Sequence, residues 1–181
     1  MRWLVFATSM LMCAALCRAG EGDPPSPFGP PRKVRDDARR AEAHLSDGTV
    51  LKGHLTVARG SPFKIFDRAR KTHREAPLEA IAKIVVEPEK ERMEKEWRFL
   101  EHANDEKVYT GRQYPMRQYV TTIEIVTGVT IVGDCSKPMT LTTDDGKKHK
   151  LILQKRDKGE PGTTLEELIY IEKIVFEKTD R

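Results

Sequence analysis

The stretch AHLSDGTVLKG at residues 43–53 returns in altered form as IEIVTGVTIVG at residues 123–133. An offset of 80 residues superposes the apolar and glycine positions of the two stretches, placing Leu45 on Ile125, Gly48 on Gly128, Leu51 on Ile131 and Gly53 on Gly133. Similarity at a fixed spacing indicates a duplicated supersecondary unit. We therefore expect the chain to repeat one small fold.

The ends of the two copies also align, at an offset of 90 residues. This alignment places Leu78, Ile81, Lys83, Ile84, Val85 and Glu87 on Leu168, Ile171, Lys173, Ile174, Val175 and Glu177. The ten additional residues of the second copy must lie in its middle. The polar segment at residues 155–162 is the obvious place for them.

Each copy is predicted to form about five short strands. The expected strands are 41–45, 50–57, one around 63–65, one near 71–76 and 80–86 in the first copy, and 120–126, 129–133, 138–143, 148–154 and 169–176 in the second. The pairs Asp47-Gly48 and Asp145-Gly146 indicate hairpin turns, because glycine adopts the positive φ that tight turns require. A short helical turn is also expected at residues 163–168.

Strands this short in a unit of this size must close on themselves to bury a core and remove exposed edges. The predicted fold class is therefore mainly β, with two tandem five-stranded small antiparallel barrels at residues 41–87 and 105–181. Because such small units are marginally stable alone, we expect the two barrels to pack together.

The segment at residues 88–104 is predicted to be an α-helix that joins the two barrels. Pro88 suits a first helical turn, and Met93, Trp97 and Leu100 recur at helical spacing to form an apolar stripe. Trp97 is expected to dock this helix onto a barrel, although the ring could alternatively serve as a platform for a ligand.

The pattern of residues 45–55, closed by Leu78, Ile81 and Ile84, resembles that of the Sm-like and SH3-like small barrels. In the Sm family, an Asp and an Asn that follow the bending glycine hold RNA. The matching positions here are Arg59 and Phe63, and Asn104 is the only asparagine in the chain. The resemblance therefore implies a fold but does not imply RNA binding by the family's mechanism.

A second resemblance covers residues 96–119 together with residues 151–159. This block is similar to a family of uncharacterised exported bacterial proteins, and the similarity implies no activity.

Residues 1–19 are predicted to be a secretory signal peptide. Arg2 supplies the positive start, residues 3–16 are mostly apolar, and small residues flank a cleavage site after Ala19. An uncleaved N-terminal anchor is the alternative. We expect the mature protein to be periplasmic or secreted.

Residues 20–40 are predicted to be a Pro/Gly-rich basic linker, either a solvated spacer or a tether to an anionic surface. Membrane contact is expected only through the signal peptide or this linker. Cleavage after Ala19 would lower the formal net charge from +4 to +2, so overall basicity does not argue for nucleic acid. The mean hydropathy of −0.57 excludes a polytopic membrane protein.

Evidence for an enzyme is weak, because no common catalytic motif is present. His44 and His54 lie on neighbouring predicted strands, but a third metal ligand is not evident. Cys135 is the one cysteine left after cleavage, and we expect a buried side chain or an intermolecular disulfide. As a nucleophile Cys135 would need a base such as His149. We expect no cofactor and no metal.

Two cationic clusters are candidate ligand-binding sites. The first interleaves cations with aromatic rings, and the second concentrates positive charge on one hairpin and the inserted loop. Their candidate residues are Arg112, Tyr114, Arg117 and Tyr119 in the first cluster and Lys148, Lys150, Lys155, Arg156 and Lys158 in the second.

These features favour an exported, non-enzymatic binding or scaffolding protein. Its expected ligand is a protein segment, with an anionic envelope polymer second, bound through the second barrel. A small-barrel nucleic-acid-binding protein is the alternative function, although nucleic acid is not the expected partner. A hydrolase that uses Cys135 or the histidines is the third hypothesis.

Overall fold

In the computed structural model the described residues are 35–100 and 106–178, and they form one curled antiparallel sheet. The strands of this sheet are β1 (Arg39–Leu45), β2 (Val50–Thr56), β3 (Phe63–Asp67), β4 (Thr72–Ala76), β5 (Ile81–Phe99), β6 (Lys107–Ile125), β7 (Thr130–Cys135), β8 (Lys137–Thr143), β9 (Lys148–Leu153), β10 (Arg156–Lys158) and β11 (Ile171–Phe176). A short 3-10 helix, Leu78–Ala80, precedes β5. The mainly β fold class is confirmed.

The order of the strands shows that the two copies exchange strands. The sheet runs β4-β3-β7-β6-β5-β11-β1-β2-β8-β9, and β10 pairs with β6. The sheet has two halves, β11-β1-β2-β8-β9 and β5-β6-β7-β3-β4. When the strands are counted within their own copy, both halves run in the order fifth, first, second, third and fourth. Each half takes its first two strands from one copy and the other three from its sister copy.

The predicted division into one barrel at 41–87 and another at 105–181 is therefore not confirmed, because both segments contribute to both halves of the sheet. Within the described residues, no strand pairing joins β4 to β5 or β9 to β11, so each half stays open at its fourth strand. Each half is a curled set of five strands whose last edge is free.

Two glycines lie where the backbones of paired, exchanged strands approach each other most closely. A Cβ on Gly53 would lie 2.1 Å from the Thr142 carbonyl oxygen on β8, and a Cβ on Gly133 would lie 1.8 Å from the Phe66 carbonyl oxygen on β3. These glycines are equivalent in the repeat. Only glycine permits such a close approach of two backbones.

The core draws on both copies. Fully buried side chains point inward from strands of the first copy and of the second, and their packing holds the exchanged halves together. The largest are Leu55, Phe63, Ile65, Ile81 and Ile84 from the first copy and Met116, Ile123, Leu141, Leu153 and Ile174 from the second.

The predicted hairpin turns are present. Gly48 and Gly146 have φ of 83° and 81°, and the Gly48 amide donates to the Leu45 carbonyl at 3.0 Å. Local turn chemistry thus sets these hairpins, as the sequence indicates. The helical turn expected at residues 163–168 is wrong, since the segment contains only a bend and a non-helical turn.

The predicted helix at residues 88–104 is also wrong. Its described part up to Phe99 continues strand β5, which pairs with β6 along a long two-stranded arm. Glu94, within this segment, binds across strands: its carboxylate accepts hydrogen bonds from Tyr114 on β6 and from Arg156 on β10. Pairing with a distant strand overrides the local helical spacing.

The residues expected to dock a helix lie on an exposed face of this arm. Trp97 is 40% exposed and pairs with Tyr109 across the strands. The Lys107 ammonium lies 4.2 Å from the centroid of the Trp97 ring, and the Phe99 ring meets it edge-on at 5.1 Å between centroids. The predicted role of Trp97 as a buried anchor is therefore wrong.

The expected signal peptide at residues 1–19 and most of the linker at residues 20–40 lie outside the described residues. The described end of that linker contains a turn, and β1 begins at Arg39, two residues before the predicted start. The interpretation of the N-terminal segment stays a prediction.

Replacing Gly53 by Ala should lower the free energy of unfolding by at least about 3 kcal/mol, because the new Cβ must force β2 away from β8. Gly48→Ala is the control, since a Cβ there has open space and meets only the strain of a positive φ, about 1 kcal/mol. Urea denaturation of both variants measures the difference. Equal stability of the two variants would contradict the close pairing of β2 with β8.

Candidate functional site

Most residues of the predicted cationic and aromatic surface are held in contacts within the sheet. Glu94 on β5 lies at the centre of this arrangement: the Tyr114 hydroxyl donates to its Oε2 at 2.8 Å, and the Arg156 guanidinium lies 2.9 Å from the same oxygen. The Tyr114 ring is covered by the Lys158 ammonium at 3.9 Å from its centroid. Along the same arm, Arg112 donates to the Glu96 carboxylate at 3.0 Å.

Hydrogen bonds set the charge of Glu94. The Tyr114 hydroxyl contributes most, and together with the nearby arginines it holds the pKa of the Glu94 carboxyl below its usual value. Glu94 therefore stays ionised at neutral pH and neutralises the cations around it. This part of the predicted surface acts as an internal ladder of charges and offers little free charge to a ligand.

Arg117 is buried and fully engaged. Its guanidinium donates to the Glu91 carboxylate at 2.5 Å and to the Leu168 and Leu165 carbonyls at 2.8 and 3.1 Å. It also lies over the Tyr170 ring, 4.8 Å from the centroid. Arg117 therefore fastens the loop before β11 to the sheet and is not open to a ligand.

The sheet also binds Lys155 in an ion-pair network. Its ammonium lies 2.7 Å from the Asp134 carboxylate, which accepts a second pair from Arg68 at 2.6 Å. Arg68 continues to Glu89 at 2.5 Å. The network joins β7 to β5 and to the segments that follow β3 and β9. The Asp134 carboxylate compensates the charge of Lys155.

Lys148 and Lys150 on β9 differ from the other predicted residues. Both side chains are exposed, and neither forms an ion pair with another described residue. Lys158 also forms no ion pair but covers the Tyr114 ring, so Lys148 and Lys150 are the predicted cations without an acidic or aromatic partner among the described residues. The two predicted clusters therefore meet where Arg156 and Lys158 contact Glu94 and Tyr114, whereas Lys148 and Lys150 lie apart from that contact on β9.

Strand β9 is one end of the sheet and, among the described residues, pairs only with β8. The Thr143 amide donates to the Lys147 carbonyl, and Pro138, which has no N–H, lies opposite Ile152. Antiparallel ladders alternate between bonded and non-bonded pairs. The main-chain N–H and C=O groups of Lys148, Lys150 and Ile152 therefore point away from β8, toward the free edge.

The other end of the sheet, β4, is protected in a different way. Its Arg74 pairs with Asp67 at 3.4 Å, and its Glu75 pairs with Lys64 at 3.3 Å. Charges of both signs that are matched within the fold are a common protection of an edge strand. Strand β9 also carries charged side chains, but they are lysines without an ion-pair partner among the described residues.

A groove with a volume of about 280 Å³ opens beside β9. Residues 150–154 form one wall, and the loop before β11 forms the other. The groove is lined mainly by apolar side chains with a few polar groups: Leu45, Val86, Tyr119, Lys150, Leu151, Ile152, Leu153, Gln154, Asp157, Ile169, Tyr170 and Ile171. Ile152 is 50% exposed at its rim.

Tyr119, a predicted ligand-binding residue, lines this groove from β6. The side chain is 2% exposed, and its hydroxyl lies closed off from solvent near the Arg117 guanidinium. Burial raises the pKa of this hydroxyl to about 12. The groove residues of the loop before β11, which carry no catalytic signature, were missed by the sequence reasoning. The aromatic Tyr170 beside the apolar Ile169 was the only local signal.

Cys135 is buried on β7, as a small hydrophobic side chain would be. Burial raises the pKa of its thiol to about 11, so the thiolate is scarce at neutral pH. His149 lies on β9, in the other half of the sheet. The arrangement is unsuited to the nucleophile that the hydrolase hypothesis requires.

His44 and His54 do not face each other, because His44 pairs with Val50 and His54 with Arg40. Across residues 35–100 and 106–178, no group of three or more His, Cys, Asp and Glu side chains could hold a metal ion. The same residues contain no helix with the length and apolar character needed to cross a bilayer.

Comparison of the chain with protein-family models, curated proteins and solved structures finds no match. The geometry of the groove and of the edge beside it is therefore the guide to function.

Replacing Glu94 by Gln should lower the free energy of unfolding at pH 7 by about 1 kcal/mol, because Tyr114 and Arg156 lose an ionised acceptor. The pKa of Glu94 is lower in the folded chain than in the unfolded chain, so its contribution is present above the unfolded pKa and is lost as the pH falls through the folded one. The difference between wild type and variant should thus shrink between about pH 5 and about pH 3.

Urea denaturation over that pH range measures the effect. Glu166→Gln, at an exposed carboxylate with no contact to a neighbouring cation, is the matched control and should change stability little at any pH. A difference for Glu94→Gln that stays constant with pH would show that the ladder does not depend on the ionised carboxylate.

Proposed function

We propose that the protein is a non-enzymatic binding or scaffolding protein that recognises an extended, acidic protein segment by adding it as a strand to β9. The observation that carries this proposal is the free edge of β9, with its row of unpaired main-chain groups beside an apolar groove. Strand addition uses such groups for affinity and adjoining pockets for specificity.

The chemistry of the edge favours a polypeptide as the ligand. Lys148, Lys150 and Ile152 present alternating N–H donors and C=O acceptors, and a polypeptide in extended conformation carries the complementary alternation. An anionic envelope polymer or a nucleic acid offers acceptors without the regular main-chain donors. Those two ligand classes would use the lysine charges and leave the carbonyl groups of β9 unpaired.

The charge of the edge favours an acidic segment. Lys147, Lys148 and Lys150 are exposed on or next to β9 and form no ion pair with described residues. The two acids of the adjoining turn are engaged: Asp144 pairs with Arg40 at 3.1 Å, and Asp145 accepts from the Lys147 amide at 3.2 Å. Like charges along an edge exclude basic strands and attract acidic ones.

The architecture of the proposal is a pair of exchanged small barrels of the Sm-like or SH3-like kind. The shared strand order in the two halves and the equivalent positions of Gly53 and Gly133 support this origin. An exported location, periplasmic or secreted, also belongs to the proposal and depends on the sequence of residues 1–19.

A ten-residue random peptide library on phage, selected on the full chain, provides a direct test. Selected peptides should be rich in Asp and Glu at alternate positions. Lys150→Pro should weaken their binding by about tenfold more than Lys150→Ala does, because proline removes an outward N–H that the added strand would use. Titration of synthetic selected peptides by calorimetry gives the dissociation constants.

Proline is tolerated where the N–H of an edge strand faces solvent, so Lys150→Pro should keep the stability of Lys150→Ala in urea. Equal peptide affinities of the two variants would contradict strand addition. Failure to select any peptide, with tight and salt-sensitive binding of a single-stranded oligonucleotide, would support the nucleic-acid alternative instead.

A further inference from the structure

The two faces of strand β9 differ in chemistry. Lys148, Lys150 and Ile152 are exposed, whereas Leu151 and Leu153, which alternate with them, are 6% and 1% exposed. Successive side chains of a strand point to opposite faces of the sheet. One face of this edge therefore presents lysines, and the other presents leucines that line the groove.

A strand added to β9 would extend both faces. The main-chain groups that point toward the free edge belong to Lys148, Lys150 and Ile152, and the residues of the added strand that lie opposite them share their face. Acidic residues of the segment would therefore lie on the outer face, across from Lys148 and Lys150. The residue opposite Leu151 must then point to the face of the groove.

The groove is apolar where it is buried. The Tyr170 ring packs against the Tyr119 ring, at 5.0 Å between centroids, and adds an aromatic wall. The volume of about 280 Å³ lies just below the range of about 300–1,000 Å³ that is usual for small-molecule pockets, so the groove suits a single side chain. Its buried aliphatic lining consists of Val86, Leu151, Leu153 and Ile171.

We propose that this groove takes one large apolar side chain, Leu, Ile, Met or Phe, from the segment residue that lies opposite Leu151. This inference rests on the proposed function, because strand addition at residues 148–152 brings that residue to the groove. The recognised segment then has an apolar residue directly next to the acid that faces Lys150. The acids supply charge complementarity, and the apolar side chain supplies buried area.

Other side chains fit the groove less well. A charged side chain would lose its hydration against a hydrocarbon lining. An amide or a hydroxyl would also exchange water for apolar contacts, and the Tyr119 hydroxyl, which is closed off from solvent, does not offer a partner to either. Alanine and glycine would leave most of the apolar lining without contact.

The test is a double-mutant cycle between the protein and a synthetic peptide. The probe is the tightest peptide from the phage selection, made with the apolar residue next to its acids and again with Ala at that position. Wild type should bind the Ala peptide at least about tenfold more weakly. Ile169→Asn should weaken the apolar peptide by about fivefold and leave the Ala peptide nearly unchanged, because it removes apolar contact at the rim.

Ile169 suits this test because it lies in the loop before β11 and is 49% exposed, so the variant should fold. Val126→Asn is the matched control, at a residue that is 60% exposed in the turn between β6 and β7, in the other half of the sheet. This control should bind both peptides as wild type does. If Ile169→Asn melts below Val126→Asn, Ile169→Ala replaces it in the cycle.

Separate results overturn separate steps. Selected peptides without an apolar residue next to the acids, or equal effects of the Ile169 variant on both peptides, would overturn the apolar site while Lys150→Pro still reports strand addition. Coupling between Ile169 and the apolar residue, with no effect of Lys150→Pro, would overturn strand addition and leave the groove contact standing. Failure to select any peptide would overturn both.

Discussion

The close antiparallel pairing of β2 with β8, and of β7 with β3, is the constraint on which the rest of the structure depends. In both pairs a glycine lets the two backbones approach within a distance that no side chain would allow. These pairings join strands of different copies, so the two repeats cannot separate into independent units. They make one sheet whose ends are the fourth strands of the two copies, β4 and β9.

Strand β9 lies at one end of the sheet and carries exposed lysines that form no ion pair with the described residues. Several cations elsewhere lie next to acids that the fold brings close, as Arg156 does with Glu94 and Lys155 with Asp134. A strand with one neighbour has half as many partners to supply compensating charge. The same lack of a neighbour leaves main-chain groups unpaired and opens the groove to Tyr119.

Local chemistry made the strands and turns predictable. The glycines of the hairpins and the alternation of apolar residues fixed most strand positions within a few residues, for example β2 and β8. The exchange of strands was not predictable, because the third strand of either copy is a similar partner for β2 at Gly53. The choice between them depends on the connection through the long β5–β6 arm, which was predicted to be a helix.

That helix prediction failed because Met93 and Trp97 satisfy helical spacing and also, with Phe99, lie on one face of a strand. The ion pairs of the predicted site residues could not be foreseen from the sequence for a related reason. Counting cations along the chain identifies Arg117 and Arg156, but their carboxylate partners are 26 and 62 residues away and become neighbours only in the sheet. Lys148 and Lys150 are exposed, and within the described part of the chain no carboxylate pairs with either of them.

The most direct test of the account is a pair of engineered disulfides, made with Cys135 replaced by Ser. His54 on β2 lies opposite Thr142 on β8, whereas without exchange it would lie opposite Phe66, the equivalent residue on β3. The account predicts that His54→Cys with Thr142→Cys forms an intramolecular disulfide in the monomer, seen by mass spectrometry of the unreduced protein. Formation of the disulfide by His54→Cys with Phe66→Cys, and not by the first pair, would contradict the exchange of strands.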